Sequence, residues 1–189
     1  MTGPELNGEK VLLRPLRDRD LENRTRWMND LETVRLFTGI EPVRRYELTD
    51  ARRWRENTEL DAKTVVWAID DGDGTHIGDV DLHGIDGRMY SAKLTILIGC
   101  KKHWNSGFGT DTIRTLLKYA FTAQKLRSVY LKVFTFNKRA IRCYEKCGFV
   151  EINVPSDVVP DISKPAEIHM MVSRNAFALD DVDDDTLHA

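Results

Sequence analysis

The stretch from residue 92 to residue 136 places a helical pattern between two β-rich runs, and this order constrains the fold most strongly. AKLTILIG at 92–99 and SVYLKVFTF at 128–136 are rich in residues that favour strands. Between them, apolar residues recur with the spacing of one helical face, namely Ile113, Leu116, Leu117, Ala120 and Phe121. Parallel neighbours need a long, usually helical connection. The pattern therefore predicts two parallel strands joined by a crossover helix.

The other segments add antiparallel strands and further helices. The predicted order is strand, two helices, three strands, helix, strand, helix and two strands, which indicates one mixed α/β domain. The remaining predicted elements are a strand at 10–16, a helix capped by Asp18 or Asp20, a helix capped by Thr49, a hairpin of strands at 64–70 and 76–86, a helix starting after Asn137 and ending at Gly148, and closing strands FVEINV and EIHMMV. We expect the domain to span 1–176 and the acidic segment 177–189 to be a disordered tail.

Composition excludes several classes of protein. The chain has 189 residues, a length that suits one domain, and a net charge of −2, which gives no overall attraction to nucleic acid. No apolar run is long enough to span a bilayer. The three cysteines are an odd number, and Cys143 and Cys147 are badly spaced for a disulfide within one helix. We therefore expect reduced thiols in a cytoplasmic protein, with no membrane partner.

The segment WNSGFGT at 104–110 stands directly before the predicted crossover helix. A helix N-terminus presents unpaired N–H groups and the positive end of the helix dipole, and so it binds anions. The backbone from Ser106 to Thr110 would supply these groups, and Gly107 and Gly109 would let it curl around a pyrophosphate. The alternative is a plain tight turn capped by Thr110 or Asp111. The spacing matches neither a Walker A loop nor a dinucleotide fingerprint.

A second set of polar residues follows the strand SVYLKVFTF. Asn137 and Tyr144 are seven residues apart on the next predicted helix, so they lie nearly on one face. Each taken alone is typical of a cap or of a half-buried aromatic residue. Together, and after a loop suited to phosphate, they suggest a site at the carboxyl ends of adjacent strands.

These two motifs, WNSGFGT and NKRAIRCYEKCGF, resemble the GNAT superfamily of N-acetyltransferases, and the RimJ/RimL-type branch fits best. The resemblance runs from LRPLRDRD at Leu13 to EIHMMV at Val172. It implies a mostly antiparallel sheet with one splayed parallel pair, acetyl-CoA as co-substrate in that opening, and no metal. The implied CoA-binding residues are Ile96, Leu97, Ile98, Trp104, Asn105, Ser106, Gly107, Phe108, Gly109, Thr110, Asn137, Ala140 and Tyr144.

The resemblance also implies direct attack of an amine on the thioester, with Tyr144 giving a proton to the leaving thiolate. An oxyanion would be held by a backbone N–H of the TILIG strand. One departure concerns Lys93, which stands where the family often has a glutamate. The base that removes a proton from the amine would then be a different residue. We consider Asp81 and Glu41 first, with Asp79 and His83 on the same strand as Asp81; each is otherwise a solvated polar residue.

The acceptor stays open at this point. The expected acceptors are the primary amine of a small molecule or a protein N-terminus, with a polyamine, an amino sugar and an amine-bearing antibiotic among the small molecules. The alternatives are an acyl-CoA sensor without turnover, motivated by Lys93, and an interaction domain without a cofactor. The resemblance to the family also implies that the protein forms a homodimer. The loop at 154–167 carries three prolines and is unusual, so no acceptor is carried over from a relative.

Overall fold

The computed structural model describes residues 3–42, 44–153 and 165–177. They form eight strands, five α-helices and one 3₁₀ turn at Lys101–His103. The strands are β1 (Leu6–Asn7), β2 (Val11–Arg14), β3 (Val65–Asp71), β4 (His76–Asp86), β5 (Ser91–Ile98), β6 (Ser128–Phe134), β7 (Val150–Ile152) and β8 (Glu167–Ser173). The helices are α1 (Asp20–Trp27), α2 (Leu31–Thr38), α3 (Leu48–Leu60), α4 (Phe108–Thr122) and α5 (Lys138–Glu145).

The strands form one sheet in the order β1-β2-β3-β4-β5-β6-β8-β7, and only the pair β5–β6 is parallel. That pair is hydrogen-bonded only at its start, from Ser91 opposite Ser128 to Lys93 opposite Tyr130. Beyond Lys93 the two strands separate. The predicted mixed sheet with one splayed parallel pair is thereby confirmed.

The crossover helix α4 packs on the sheet through the predicted apolar stripe. Ile113, Leu116, Leu117 and Ala120 are completely buried, and Phe121 is nearly so. They join Trp67 and the apolar face of the central strands in one continuous core. Burying this stripe fixes the helix on the sheet, and with it the position of the helix N-terminus beside the splayed strands.

The first helical region differs from the prediction, because it is two helices rather than one. Asp30 interrupts it and caps α2 by accepting a hydrogen bond from Thr33 N at 2.9 Å. Neither Asp18 nor Asp20 caps α1. Asp20 instead turns inward and pairs with Arg14, with its Oδ2 2.6 Å from Arg14 Nη1.

Two further details of the secondary structure correct the sequence prediction. α3 begins at Leu48 and is capped by Glu47 in a capping box with Asp50, so Thr49 is not the cap. The two-residue strand β1 was not predicted, because so short a segment carries no periodicity. Asn137 caps α5 as expected, but the helix ends at Glu145 with Lys146 as C-cap, and Gly148, with φ +80°, follows two residues later.

The chain end is described as far as Phe177, which is buried and packs against Phe121 with ring centroids 5.5 Å apart. Most of the predicted acidic tail and of the loop at 154–167 lies outside the described residues, and the domain boundary at 176 stays a prediction. In the part of the chain that the structure describes, no helix has the length and apolarity to cross a membrane.

Candidate active site

A cavity of about 970 Å³ occupies the opening between β5 and β6. Its walls come from the separated halves of these two strands, the loop before α4 and the inward face of α5. The opening exists because β5 and β6 pair for only three residues, which leaves the far part of β5 free along one edge. A backbone edge of this kind can hydrogen-bond an extended ligand as an added strand would.

The glycine loop brings the start of α4 to this cavity. Gly107 has φ +87°, a conformation that side chains rarely adopt, and it precedes the first helical residue. The first intrahelical bond runs from Asp111 N to Gly107 O at 3.0 Å, so the N–H groups of Phe108, Gly109 and Thr110 have no acceptor within the helix. Neither Thr110 nor Asp111 caps the helix. The simple capped turn is therefore excluded, and the free N–H groups suit an anion.

Most of the residues predicted for CoA lie around this cavity. Those that line it are Ile96, Leu97, Ile98, Trp104, Asn105, Gly107, Gly109, Thr110, Asn137, Ala140 and Tyr144. Ser106 and Phe108 are not in the lining. The Ser106 carbonyl instead accepts a hydrogen bond from Lys10 Nζ, and Phe108 packs edge-on against His103. The Ser106 backbone and the Phe108 side chain thus hold the loop through contacts outside the cavity lining.

Helix α5 and its C-cap contribute three basic residues to the lining that the sequence interpretation had not singled out, namely Arg139, Arg142 and Lys146. Their spacing of three and four places them on one helical face, which was the signal available for finding them. The Arg139 guanidinium stacks on the Trp104 ring at 3.5 Å, and Trp104 Nε1 donates to Ile98 O at 2.6 Å. These contacts link the end of β5, the loop and α5 into one positively charged wall.

Asn137 and Tyr144 both reach the cavity, as their positions on α5 predict. The Asn137 amide accepts from Ala140 N at 3.2 Å and donates to Leu36 O at 3.2 Å. Its role toward a ligand stays a prediction, since it already ties α5 to α2. Burial raises the pKa of the Tyr144 phenol well above its ordinary value. The phenol therefore keeps its proton at neutral pH, as a proton donor must.

A second cavity of about 440 Å³ lies on the other side of β4 and β5, between the sheet and helices α1 and α3. It shares Phe37, His83, Thr95 and Leu97 with the first cavity, so the two meet at these residues. A molecule in the second cavity can thereby reach a group held between the splayed strands.

Three carboxylates line the second cavity, and Asp79 and Asp81 lie on the same face of β4 as predicted. Asp79 is buried and pairs with Arg24 at 2.8 Å, while Arg24 stacks on the Trp54 ring at 3.4 Å. Asp81 Oδ1 lies 2.7 Å from His83 Nδ1. Burial raises the pKa of Asp81, and the neighbouring His83 opposes that effect. The third carboxylate is that of Asp61.

Two other residues considered from the sequence do not line the second cavity. Glu41 is exposed in the segment after α2 and lines neither cavity. Its part in catalysis stays a prediction without support from its position. Lys93 lines the first cavity and stands opposite His83 across the β4–β5 pair.

With this geometry described, the chain can be compared with known proteins. The family profile of the acetyltransferase (GNAT) domain matches residues 10–150. The chain belongs to the GNAT acetyltransferase family. The match covers β2 to α5, and so it includes the splayed strands β5 and β6, the glycine loop and α5, which form most of the first cavity.

Two relatives and one solved structure illustrate the similarity. The spermidine N(1)-acetyltransferase of Vibrio cholerae is 36% identical over 85 residues, which is 45% of this chain and only about half, 49%, of that protein. The α/β-tubulin-N-acetyltransferase 9 of Drosophila melanogaster is 27% identical over 156 residues, covering 76% of this chain and 77% of the relative. A crystal structure of the Vibrio cholerae spermidine N-acetyltransferase with CoA and spermine superposes with a TM-score of 0.74 at 25% identity, covering 89% and 98% of the two chains.

The residues present fit the acetyl-CoA that a GNAT acetyltransferase uses. The cavity lies along the free edge of β5, the α4 N-terminus offers unpaired N–H groups, and α5 supplies cations for phosphates. Among residues 3–42, 44–153 and 165–177, no group of three or more His, Cys, Asp or Glu side chains is arranged to hold a metal ion.

Proposed function

We propose that the protein transfers an acetyl group from acetyl-CoA to a primary amine, by direct attack of the amine on the thioester. The observation that carries this proposal is the junction of the two cavities. One cavity suits CoA and contains the Tyr144 phenol, and the other is acidic and meets it at His83 and Thr95.

Each wall of the first cavity has a role in this reaction. The N–H groups at the start of α4 bind the pyrophosphate, and the free edge of β5 aligns the pantetheine arm through Ile96, Leu97 and Ile98. Bound acetyl-CoA supplies the activated thioester. A backbone N–H of β5 stabilises negative charge on the carbonyl oxygen, and Tyr144 gives its proton to the departing sulfur.

For the acceptor, we propose the primary amine of a small cationic molecule, with a polyamine first. Asp61, Asp79 and Asp81 line the second cavity against a single cation, Arg24, so the local charge is negative. The relatives named for spermidine support the same choice. A protein N-terminus, as RimJ/RimL-type membership would imply, is the second candidate, and the similarity to a tubulin acetyltransferase motivates testing a protein acceptor. We also propose that the protein forms a homodimer and is located in the cytoplasm.

The proposal is tested by following release of the CoA thiol with acetyl-CoA and a panel of amines. The panel contains spermidine, spermine, an amino sugar, an aminoglycoside and a short peptide with a free N-terminus. Turnover of at least one amine is expected, with the polyamines fastest. No turnover of any amine by a protein that binds CoA would favour the sensor.

Replacing Tyr144 by Phe separates the enzyme from the sensor more directly. The variant removes one oxygen, so it should keep its affinity for CoA. The rate of acetyl transfer should fall about 100-fold, because a positioned proton donor contributes roughly 10²–10⁴ in rate. Isothermal titration with CoA and the thiol-release assay measure the two quantities. Equal rates for the variant and the wild type would show that Tyr144 is not the acid.

A further inference from the structure

The polar face of β4 offers three side chains to the junction of the cavities, and they are not equivalent. Asp79 is buried, and both of its oxygens are engaged, Oδ2 by Arg24 at 2.8 Å and Oδ1 by His76 Nε2 at 3.2 Å. It is therefore committed to the ion pair that fixes α1 on the sheet. Asp81 and His83 remain as groups able to exchange a proton with an incoming amine.

The hydrogen bond between these two residues assigns their roles. Asp81 Oδ1 lies 2.7 Å from His83 Nδ1, with Thr95 Oγ1 at 3.4 Å from the same nitrogen. A carboxylate at that distance requires the hydrogen of the neutral imidazole to be on Nδ1. The lone pair is then on Nε2, which has no hydrogen-bond partner among the described residues. The His83 side chain is 38% exposed and lines both cavities, whereas that of Asp81 is 19% exposed.

We infer that His83 accepts the proton of the acceptor ammonium at Nε2, and that Asp81 is the positioning residue that holds its tautomer. This inference rests on the proposed acetyl transfer. The ammonium gives one proton to His83, which releases it to water, and the neutral nitrogen then forms a bond to the thioester carbon as the carbon–sulfur bond breaks. The sulfur takes the electron pair and the Tyr144 proton. A second proton from the nitrogen, lost as the amide forms, restores the Tyr144 phenol.

The charges that face His83 from the neighbouring elements favour this cycle. The carboxylates of Asp61, Asp79 and Asp81 attract an ammonium ion to the second cavity. Lys93 lies opposite His83 on β5 and lines only the first cavity. Arg24 is already paired with Asp79.

The first test compares two amines with the wild type and His83→Gln. The first is the best alkyl amine of the panel, which is an ammonium ion at pH 7. The second is 4-methoxyaniline, which is already neutral. We expect His83→Gln to lower kcat/KM for the alkyl amine about 100-fold and for the aryl amine less than 5-fold, and to move the acid limb of the alkyl-amine pH profile up to the pKa of the amine itself. Asp73→Asn is the control, since Asp73 is exposed in the turn between β3 and β4 and lines neither cavity, and it should change neither.

The second test determines the tautomer of His83 by NMR and needs no catalytic turnover. ¹⁵N NMR of the free protein at high pH should show His83 protonated on Nδ1, and Asp81→Asn should shift it toward the other tautomer. If His83→Gln lowered kcat/KM equally for both amines, or if the wild type showed an Nε2–H tautomer, the inference would be overturned. The proposed acetyltransferase activity would not be affected. A protein that turns over no amine would contradict the proposed function, and the inference with it. The NMR result and CoA titration then show whether the site itself is formed.

Discussion

At the scale of single residues, Cys143 carries a property that the sequence did not reveal. Its half-exposed thiol lines the first cavity, 3.4 Å from Thr110 Oγ1. Hydrogen bonding by Cys147 lowers its pKa to about 7 against the opposing effect of burial, and Thr110, Lys146 and Arg139 add to the lowering. The thiolate, which is the nucleophile, is thus well populated at neutral pH.

We therefore expect iodoacetamide to alkylate Cys143 with a rate that rises through a midpoint near pH 7. Peptide mass spectrometry at several pH values measures this rate. Bound CoA should slow the labelling at least 10-fold, because it occupies the same cavity, and Cys143→Ser should remove the labelled peptide. Labelling that is unaffected by CoA would contradict the position given to the cofactor.

At the scale of elements, the turn between β1 and β2 is tied to the start of α4 by one carboxylate. Asp111 accepts hydrogen bonds from the N–H groups of Glu9, Lys10 and Val11 at 2.7–3.1 Å. Asp111→Ala should lower the free energy of unfolding by about 1–3 kcal/mol, because it leaves these donors unpaired. It should also weaken CoA binding, since the loop loses its support. Urea unfolding measures the first effect, and Asp73→Ala, in an exposed turn, is the control.

A buried ion cluster ties α1 to β2 and β3. The Arg14 guanidinium contacts Asp20 and Asp70, each at 2.6 Å, and all three side chains are buried. Arg14→Met should cost roughly 3–5 kcal/mol, because it leaves buried carboxylates without a counter-charge. Burial alone would raise the pKa of Asp20, but hydrogen bonds from Arg14 and Arg17 N hold it below its ordinary value.

The sign of the resulting pH dependence follows from that lowered pKa. A carboxyl whose folded pKa is depressed stabilises the protein above its unfolded pKa, and the stabilisation is lost as the pH falls through the folded value. Wild-type stability in urea should therefore decline below about pH 4, near the ordinary pKa of an aspartate. Arg14→Met should show a smaller decline. Parallel curves for the two proteins would contradict this account.

Sequence reasoning predicted elements whose signals are local. The stripe of α4, the Asn137 cap and Gly148 after α5 all depend on spacing within a few residues. It could not predict the Arg14–Asp20–Asp70 cluster, since residues 14 and 70 meet only once β2 pairs with β3. For His83 the sequence showed the residue and the strand on which it lies. Its bond to Asp81 depends on side-chain rotamers and on burial, which spacing does not encode.

At the scale of the whole molecule, ligand binding must stabilise the fold, because the first cavity is made from β5, β6, α4 and α5 together. A ligand at about 100 times its Kd adds about 2.7 kcal/mol. For a protein of this size, that corresponds to roughly 5–11 °C in Tm. We expect this shift with acetyl-CoA and with CoA. ATP should raise Tm only slightly, since it has phosphates but no pantetheine arm to pair with β5.

Gly109→Trp tests whether that stabilisation arises at the glycine loop. A Cβ at this position would lie 3.3 Å from Cys143 Sγ, so an indole has to project into the space between α4 and α5 where the pyrophosphate is expected. The variant should lose the CoA shift, and its ligand-free Tm measures any separate damage to the fold. An undiminished shift in the variant would place the phosphates elsewhere. No shift with either CoA form in the wild type would contradict cofactor binding, and with it both the enzyme and the sensor.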